Sequence, residues 1–457
     1  MSTMNRITCA VVSFYALTIS TGVFATNGYL THGLGTKNKG MAGAGTASPS
    51  EAMSVANNPA AAVMLGSRFD TGLSIFSPAR SYETSSSLIQ GQFGSFTVGP
   101  DSSVSKNNFF PIPYAASVWE LEGDRAWAAA FYGRGGMNTE FIGGTASFDP
   151  DGPGPGPTMT LPGAFGAGTL GVDLVQAFLD LTYSGKTDSL NWGVTAVLAI
   201  QSFEARGVAN FAGFTETFAL SGGTQSPANL SNNGHEYSYG YGFKAGVIWE
   251  ASDTLNLGLS YQTKTKMTDL DDYADLFAEG GGFDIPASAR VGISWRATDA
   301  VSLHLDWEHV WYSEVDSIGN SIAGIIGCPT AGFGGTDASV CLGGENGIGF
   351  GWDDMSIVKF GVEWTPQDTP EWTMRAGYSQ GDQPIPEEEL LVNILAPAVM
   401  EEHFTVGFTR NLNNDKEFSI SFMFAPSKKL TGPSTFDPTQ TISIEMEQFE
   451  LEFGYTW

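Results

Sequence analysis

In the stretch LNLGLSYQTKTKM, Leu255, Leu257, Leu259 and Tyr261 take every second position, while Ser260, Gln262, Lys264 and Lys266 take the others. Period-two alternation marks a strand with one apolar and one polar face. Both lysines are therefore expected on the polar face at one end of that strand, where an ammonium group could bind an anionic head group such as a carboxylate. Arg290, Lys359 and Arg375 have the same parity in their own alternating stretches, and so do Asp306, Glu308 and Glu363. Two uses for these cations follow: holding a ligand, or forming a structural ion-pair network.

Other residue types suggest capture, gating and bracing. Phe211, Phe214, Phe218 and Leu220 make the segment 205–234 unusually apolar for a connection, and Leu270, Tyr273, Ala274 and Phe277 in TDLDDYADLF stand at helical spacing. Either each group buries its own face, or the two together line an external hydrophobic groove that first captures a ligand. In FYGRGGMN, Gly133, Gly135 and Gly136 would weaken strand pairing and mark a bulge, or simply end a strand. Cys328 and Cys341 lie in a Gly-rich stretch and are expected to form a disulfide. No G-x-S-x-G, H-E-x-x-H or P-loop occurs, and HEYSYG at 235 lacks the second histidine of a zinc motif. The expectation is a protein that binds and gates, not an enzyme, with no cofactor and no metal. A hydrolase with its triad dispersed over strands would leave no local motif and stands as the alternative of a different class.

Fourteen alternating stretches can position these residues, near 67–79, 110–122, 124–136, 171–186, 189–204, 235–250, 253–266, 286–297, 300–314, 352–365, 370–381, 401–412, 415–426 and 442–457. Tight connections such as EGD, GKTD and ASD alternate with long ones. That asymmetry fits an antiparallel transmembrane β-barrel with short turns at the periplasmic end and long loops outside. Lipid leaves no partner for a free strand edge, so the sheet has to close. Trp119, Trp249, Trp295, Trp311, Trp352 and Trp364 would then belong to interface girdles. A large secreted sandwich would not explain the loop asymmetry. With 21 basic against 49 acidic residues, nucleic acid is not an expected partner. The acidic excess suits solvated loops, and divalent cations close to lipopolysaccharide would suit it as well. Residues 1–25 read as a signal peptide with small residues at Val23 and Ala25. The closing QFELEFGYTW reads as the strand that pairs with the first one, its final aromatic presented to the barrel assembly machinery.

Residues 26–66 show no period of two, and in a barrel near porin width they are expected to plug the lumen, leaving 67–457 as the barrel. Ser50 is expected to cap a short helix over EAMSVANN that Pro59 ends. Here NGYLTHGLGTKNKGMAGAGTA followed by ANNPAA resembles the FadL family of outer-membrane transporters for long-chain fatty acids and related hydrophobic compounds. IPASARVGISWRATDAVSLHLDWEHVWYSEV, WTMRAGYSQGDQPIP and NILAPAVMEEHFTVGF resemble its second half. The resemblance implies a fourteen-stranded barrel with an N-terminal hatch and passive uptake of fatty acids. Aromatic or alkane hydrocarbons are the alternative cargo, and a general porin is a rival of different class. It puts the family's Asn-Pro-Ala hatch motif on Asn58, Pro59 and Ala60, a lateral gap at the kinked third strand near Gly133, Gly135 and Gly136, and a first, weak site between the two apolar loops. A monomer is expected.

Overall fold

The computed structural model describes residues 27–149, 157–412 and 415–457. The expected signal peptide lies outside the described residues. Fourteen long strands form the wall: β1 Arg68–Thr84, β2 Phe110–Leu121, β3 Arg125–Asn138, β4 Thr169–Thr187, β5 Leu190–Arg206, β6 Glu236–Ser252, β7 Leu255–Gln262, β8 Ser288–Arg296, β9 Val301–Val310, β10 Met355–Trp364, β11 Trp372–Gly381, β12 Glu402–Asn411, β13 Glu417–Ser434 and β14 Asp437–Thr456. Each is antiparallel to the next. β14 then closes on β1, from Thr456 opposite Asp70 to Ile442 opposite Thr84.

The faces are inverted relative to a water-soluble sheet. On β9, Leu305 and Trp307 are exposed, while His304, Asp306 and Glu308 are buried. Apolar residues outside and polar residues inside are what a lipid-facing barrel requires. Among the described residues no helix is long and apolar enough to cross a membrane. Trp249, Trp295 and Trp364 project outward as girdle residues should, but Trp352 is 1% exposed and points into the interior.

Three strands are longer than their apolar alternation suggests, β1 running on to Thr84. β13 and β14 continue as a hairpin through 427–441, where Lys428, Lys429 and Thr431 break the pattern. The inner face of this extension still packs, with Leu430 and Phe436 joining the interior apolar cluster, while Lys429, Thr431 and Thr441 on the other face are exposed. β7 is shorter than expected and stops at Gln262.

Residues 27–66 thread the interior and are almost all buried. They contain the helical turns Thr36–Lys39 and Ser54–Asn57 and a 3₁₀ turn at Pro59–Met64. Ser50 caps nothing; its N–H donates to Ser54 Oγ at 3.2 Å, and Met53 precedes the turn. Pro59 opens the next turn, with the Asn58 side chain accepting from Ala60 N.

The wall makes room for this segment with glycines that face inward. A Cβ on Gly193 of β5 would run into Pro59, on Gly246 of β6 into Asn58, on Gly292 of β8 into Thr46 and on Gly377 of β11 into Met41. A side chain at any of these positions would displace the segment from the wall.

Candidate functional site

At the outer mouth the two apolar loops do not form an open groove. Phe211 packs on Phe96 and Phe165 at 5.4 and 5.2 Å between ring centroids, and Phe214 stacks on Phe436 at 6.3 Å. Leu270, Tyr273 and Phe277 are buried in the same apolar cluster as Phe211; Tyr273 and Phe277 lie 4.9 and 4.7 Å from Phe203. Phe218 is half-buried. The loops meet through polar contacts, Thr217 donating to Asp275 at 2.5 Å and Asn229 N to the same carboxylate at 2.9 Å. With the loops in contact, the space beside them is lined by Glu216, Gln225, Asn229 and Asp275. Burial, with Glu345 and Asp275 nearby, pushes the Glu216 carboxyl up. Cys328 and Cys341 are joined, Cα atoms 5.0 Å apart, beside Leu342, whose carbonyl accepts from Glu216 N.

Lys264 and Lys266 do not face the lumen. Gln262 stands opposite Lys244, yet Lys266 stands opposite Tyr241, a slip of one residue that turns the next side chains over. Thr265 and Met267 are buried, and both lysines are exposed near Asp284, at 4.0 and 3.4 Å.

The other cations keep the expected inward parity and are paired. Glu308 receives Lys359 at 2.6 Å, Arg290 at 2.7 Å and Arg134 at 3.8 Å, while Arg375 pairs with Glu363 at 2.7 Å. Asp306 instead accepts the backbone N–H groups of Gly45 and Thr46 at 2.9 and 2.8 Å. Lys359 also donates to the His32 carbonyl at 2.8 Å, tying the network to the interior segment. Asn58 donates to the carbonyls of Thr46 and of Val247 in β6, both at 3.1 Å.

The wall changes at the third strand. β2 and β3 pair only from Tyr114 opposite Tyr132 to Leu121 opposite Arg125, leaving Phe110–Pro113 unpaired to β3. Pro111 and Pro113 have no N–H to offer a ladder. β3 itself continues along β4, with a register shift between Gly133 and Gly135. Its backbone at that height bonds to the interior segment: Gly136 N donates to Tyr29 O at 3.0 Å, and Thr31 N to Arg134 O at 2.8 Å. Tyr29 is fully buried among Tyr312, Trp352 and Phe283, with centroids at 5.5, 6.0 and 6.4 Å. Sequence reasoning missed Tyr29 and Tyr312 and put Trp352 in a girdle, although an aromatic in a segment without strand period was a signal available for Tyr29. No cluster among the described residues is arranged to hold a metal ion.

A family model described as outer membrane protein transport protein (OMPP1/FadL/TodX) matches residues 165–448. No curated protein matches the chain. Among solved structures, the P. putida toluene transporter TodX is 14% identical, with 93% of this chain and 98% of that one covered at a TM-score of 0.62. A Pseudomonas aeruginosa FadL homologue is 15% identical, covering 94% and 99% at 0.62. The Ralstonia pickettii toluene transporter TbuX is 16% identical, covering 92% and 98% at 0.56.

Proposed function

The chain belongs to the OMPP1/FadL/TodX family of outer-membrane transport proteins, and from that premise we propose that it takes up long-chain fatty acids or similar hydrophobic molecules by passive diffusion and releases them sideways through its wall at the third strand. The observation that carries this reading is the interrupted ladder between Phe110–Pro113 and Gly133–Asn138, occupied on the β3 side by backbone from Tyr29 to Thr31. Residues 26–66 act as the hatch, with Asn58, Pro59 and Ala60 seated on β5 and β6. When the hatch leaves the β3 edge, cargo in the lumen has a dry way out into the membrane that avoids the aqueous periplasm.

Phe211, Phe214, Phe218, Leu270, Tyr273 and Phe277 serve as the capture region, on condition that their loops separate. Lys264 and Lys266, outward beside Tyr241, suit the phosphates of lipopolysaccharide better than the cargo. The C-terminal strand is the proposed contact for the barrel assembly machinery, and the working unit is a monomer. Hydrocarbon cargo, as in the toluene transporters above, is the second reading.

The wall-exit step is tested with Pro111→Val and Pro113→Val combined, which restores two ladder donors. Oleate uptake into cells should fall several-fold while oleate binding to the purified protein stays unchanged. Undiminished uptake by a folded double variant would rule out exit between β2 and β3.

A further inference from the structure

The two apolar loops meet a third at one short segment. In the connection between β9 and β10, Cys341 is joined to Cys328, 13 residues before it, and both are fully buried. The residues that follow, Leu342, Gly343 and Gly344, bond to both apolar loops. Toward 205–234, Leu342 N donates to Phe214 O at 3.0 Å and Leu342 O accepts from Glu216 N at 2.9 Å, which makes Thr215 and Leu342 a parallel bridge. Toward 263–287, the carbonyls of Gly343 and Gly344 accept from Gly280 N at 3.1 Å and from Glu279 N at 2.9 Å. Gly343 has a φ of 82°, and a Cβ there would lie 2.5 Å from Ala274 O, so only glycine lets the segment come this close.

These contacts sit over the way in. Phe211, Tyr273 and Phe277 share one buried apolar cluster with Leu342 and both cysteines, and that cluster continues to Tyr29 and Trp352. Cargo from outside reaches those side chains only after the loops part. Asp275 also joins the two loops directly, through Thr217 and Asn229. The segment 342–344 differs from that contact in having a covalent restraint beside it: the disulfide limits how far these residues drift while unbonded, and so favours their return to both loops.

We propose that residues 342–344, fixed by the Cys328–Cys341 disulfide, are a clasp that holds both apolar loops shut over the lumen, and that release of this clasp sets the rate at which cargo enters. This rests on the reading of those loops as the capture region. An opening step of this kind belongs to the less stable, locally unfolding parts of a protein. A clasp that touches cargo in neither the free nor the loaded protein has no differential contact with it, so loosening the clasp speeds entry and escape alike and leaves the affinity alone. Loss of a binding residue would change the affinity instead.

The test uses the full-length protein in detergent and cis-parinarate, a long-chain acid whose fluorescence rises on binding, followed by stopped flow. Two variants loosen the clasp independently: Cys328→Ser with Cys341→Ser, and Gly343→Ala, which keeps the disulfide and drives the segment away from Ala274. Each should raise the association and dissociation rate constants together by about fivefold or more, the factor that one lost backbone hydrogen bond is worth, with Kd within about twofold of wild type. Amide hydrogen exchange without cargo should quicken at Glu216, Glu279, Gly280 and Leu342 in both. Wild-type binding rates in a folded variant whose exchange has quickened overturn the gating role, and unchanged exchange at all four amides overturns the clasp itself. A weaker Kd with unchanged association overturns the proposal too, because these residues would then belong to the binding site. If wild type does not bind cis-parinarate, the capture reading fails on its own, and the exchange rates still decide whether 342–344 holds the loops.

Discussion

Glu308 is where the lumen concentrates charge. Lys359, Arg290 and Arg134 converge on one buried carboxylate, and Arg290 reaches on to Asn57 of the interior segment. Removing one member of a buried ion pair leaves the others uncompensated at a cost of about 3 to 5 kcal/mol. Glu308→Gln is therefore expected to lower the stability of the folded protein by about that amount, read as a reduced midpoint of urea unfolding in micelles, whereas Glu250→Gln in an exposed pair with Lys186 should cost under about 1 kcal/mol. Equal midpoints for the two variants would refute a central role for Glu308. The inward parity of Arg290, Lys359 and Arg375 was legible because period two holds through their strands without interruption. It failed for Lys264 and Lys266 because a one-residue slip after Gln262 leaves no mark in composition.

At the scale of elements, the interior segment and the wall fit each other through small residues. Gly193 and Gly246 on adjacent strands admit Pro59 and Asn58, and Asn58 then bonds to the Val247 carbonyl. Gly193→Val combined with Gly246→Val keeps or improves strand propensity while filling the space the segment uses. The barrel should therefore still assemble, shown by retained heat-modifiable migration in gels, and its ion conductance in planar bilayers should rise several-fold as the segment is displaced. Wild-type conductance in the assembled variant would mean that the contact is not needed to hold the segment. The strands themselves were readable, since lipid on one side and polar lumen on the other impose alternation. The hairpin through 427–441 was not, because its outer face carries Lys429, Thr431 and Thr441 and its inner face only the widely spaced Leu430 and Phe436, too few to show a period. The inward glycines were hidden as well: their role depends on what lies across the lumen, which no local pattern records.

For the molecule as a whole, the question is whether wall and plug are separable. The backbone ladder passes from β1 through every strand to β14 and returns to β1 along Asp70–Thr84 without using residues 27–66. The interior segment contributes ion pairs to that wall, with Lys39 between Glu450 and Glu452 and Lys37 on Glu417. Deleting it strips those carboxylates of their cations, but it also floods the lumen with water, which removes most of the desolvation cost that made the pairs necessary. The wall's hydrogen bonds face lipid, where no solvent competes for them, and stay intact. A barrel of eight strands fills its own interior and one of sixteen or more holds an aqueous channel, so fourteen strands without a plug should leave an open pore. Deletion of residues 26–66 is accordingly expected to yield a folded barrel whose single-channel conductance is roughly tenfold or more above that of the full chain, on the porin comparison. Binding of oleate should fall at the same time, because Tyr29 leaves the aromatic cluster it shares with Tyr312 and Trp352. A deletion variant that folds yet conducts no better than the full chain would show that the loops above the lumen, not this segment, close it.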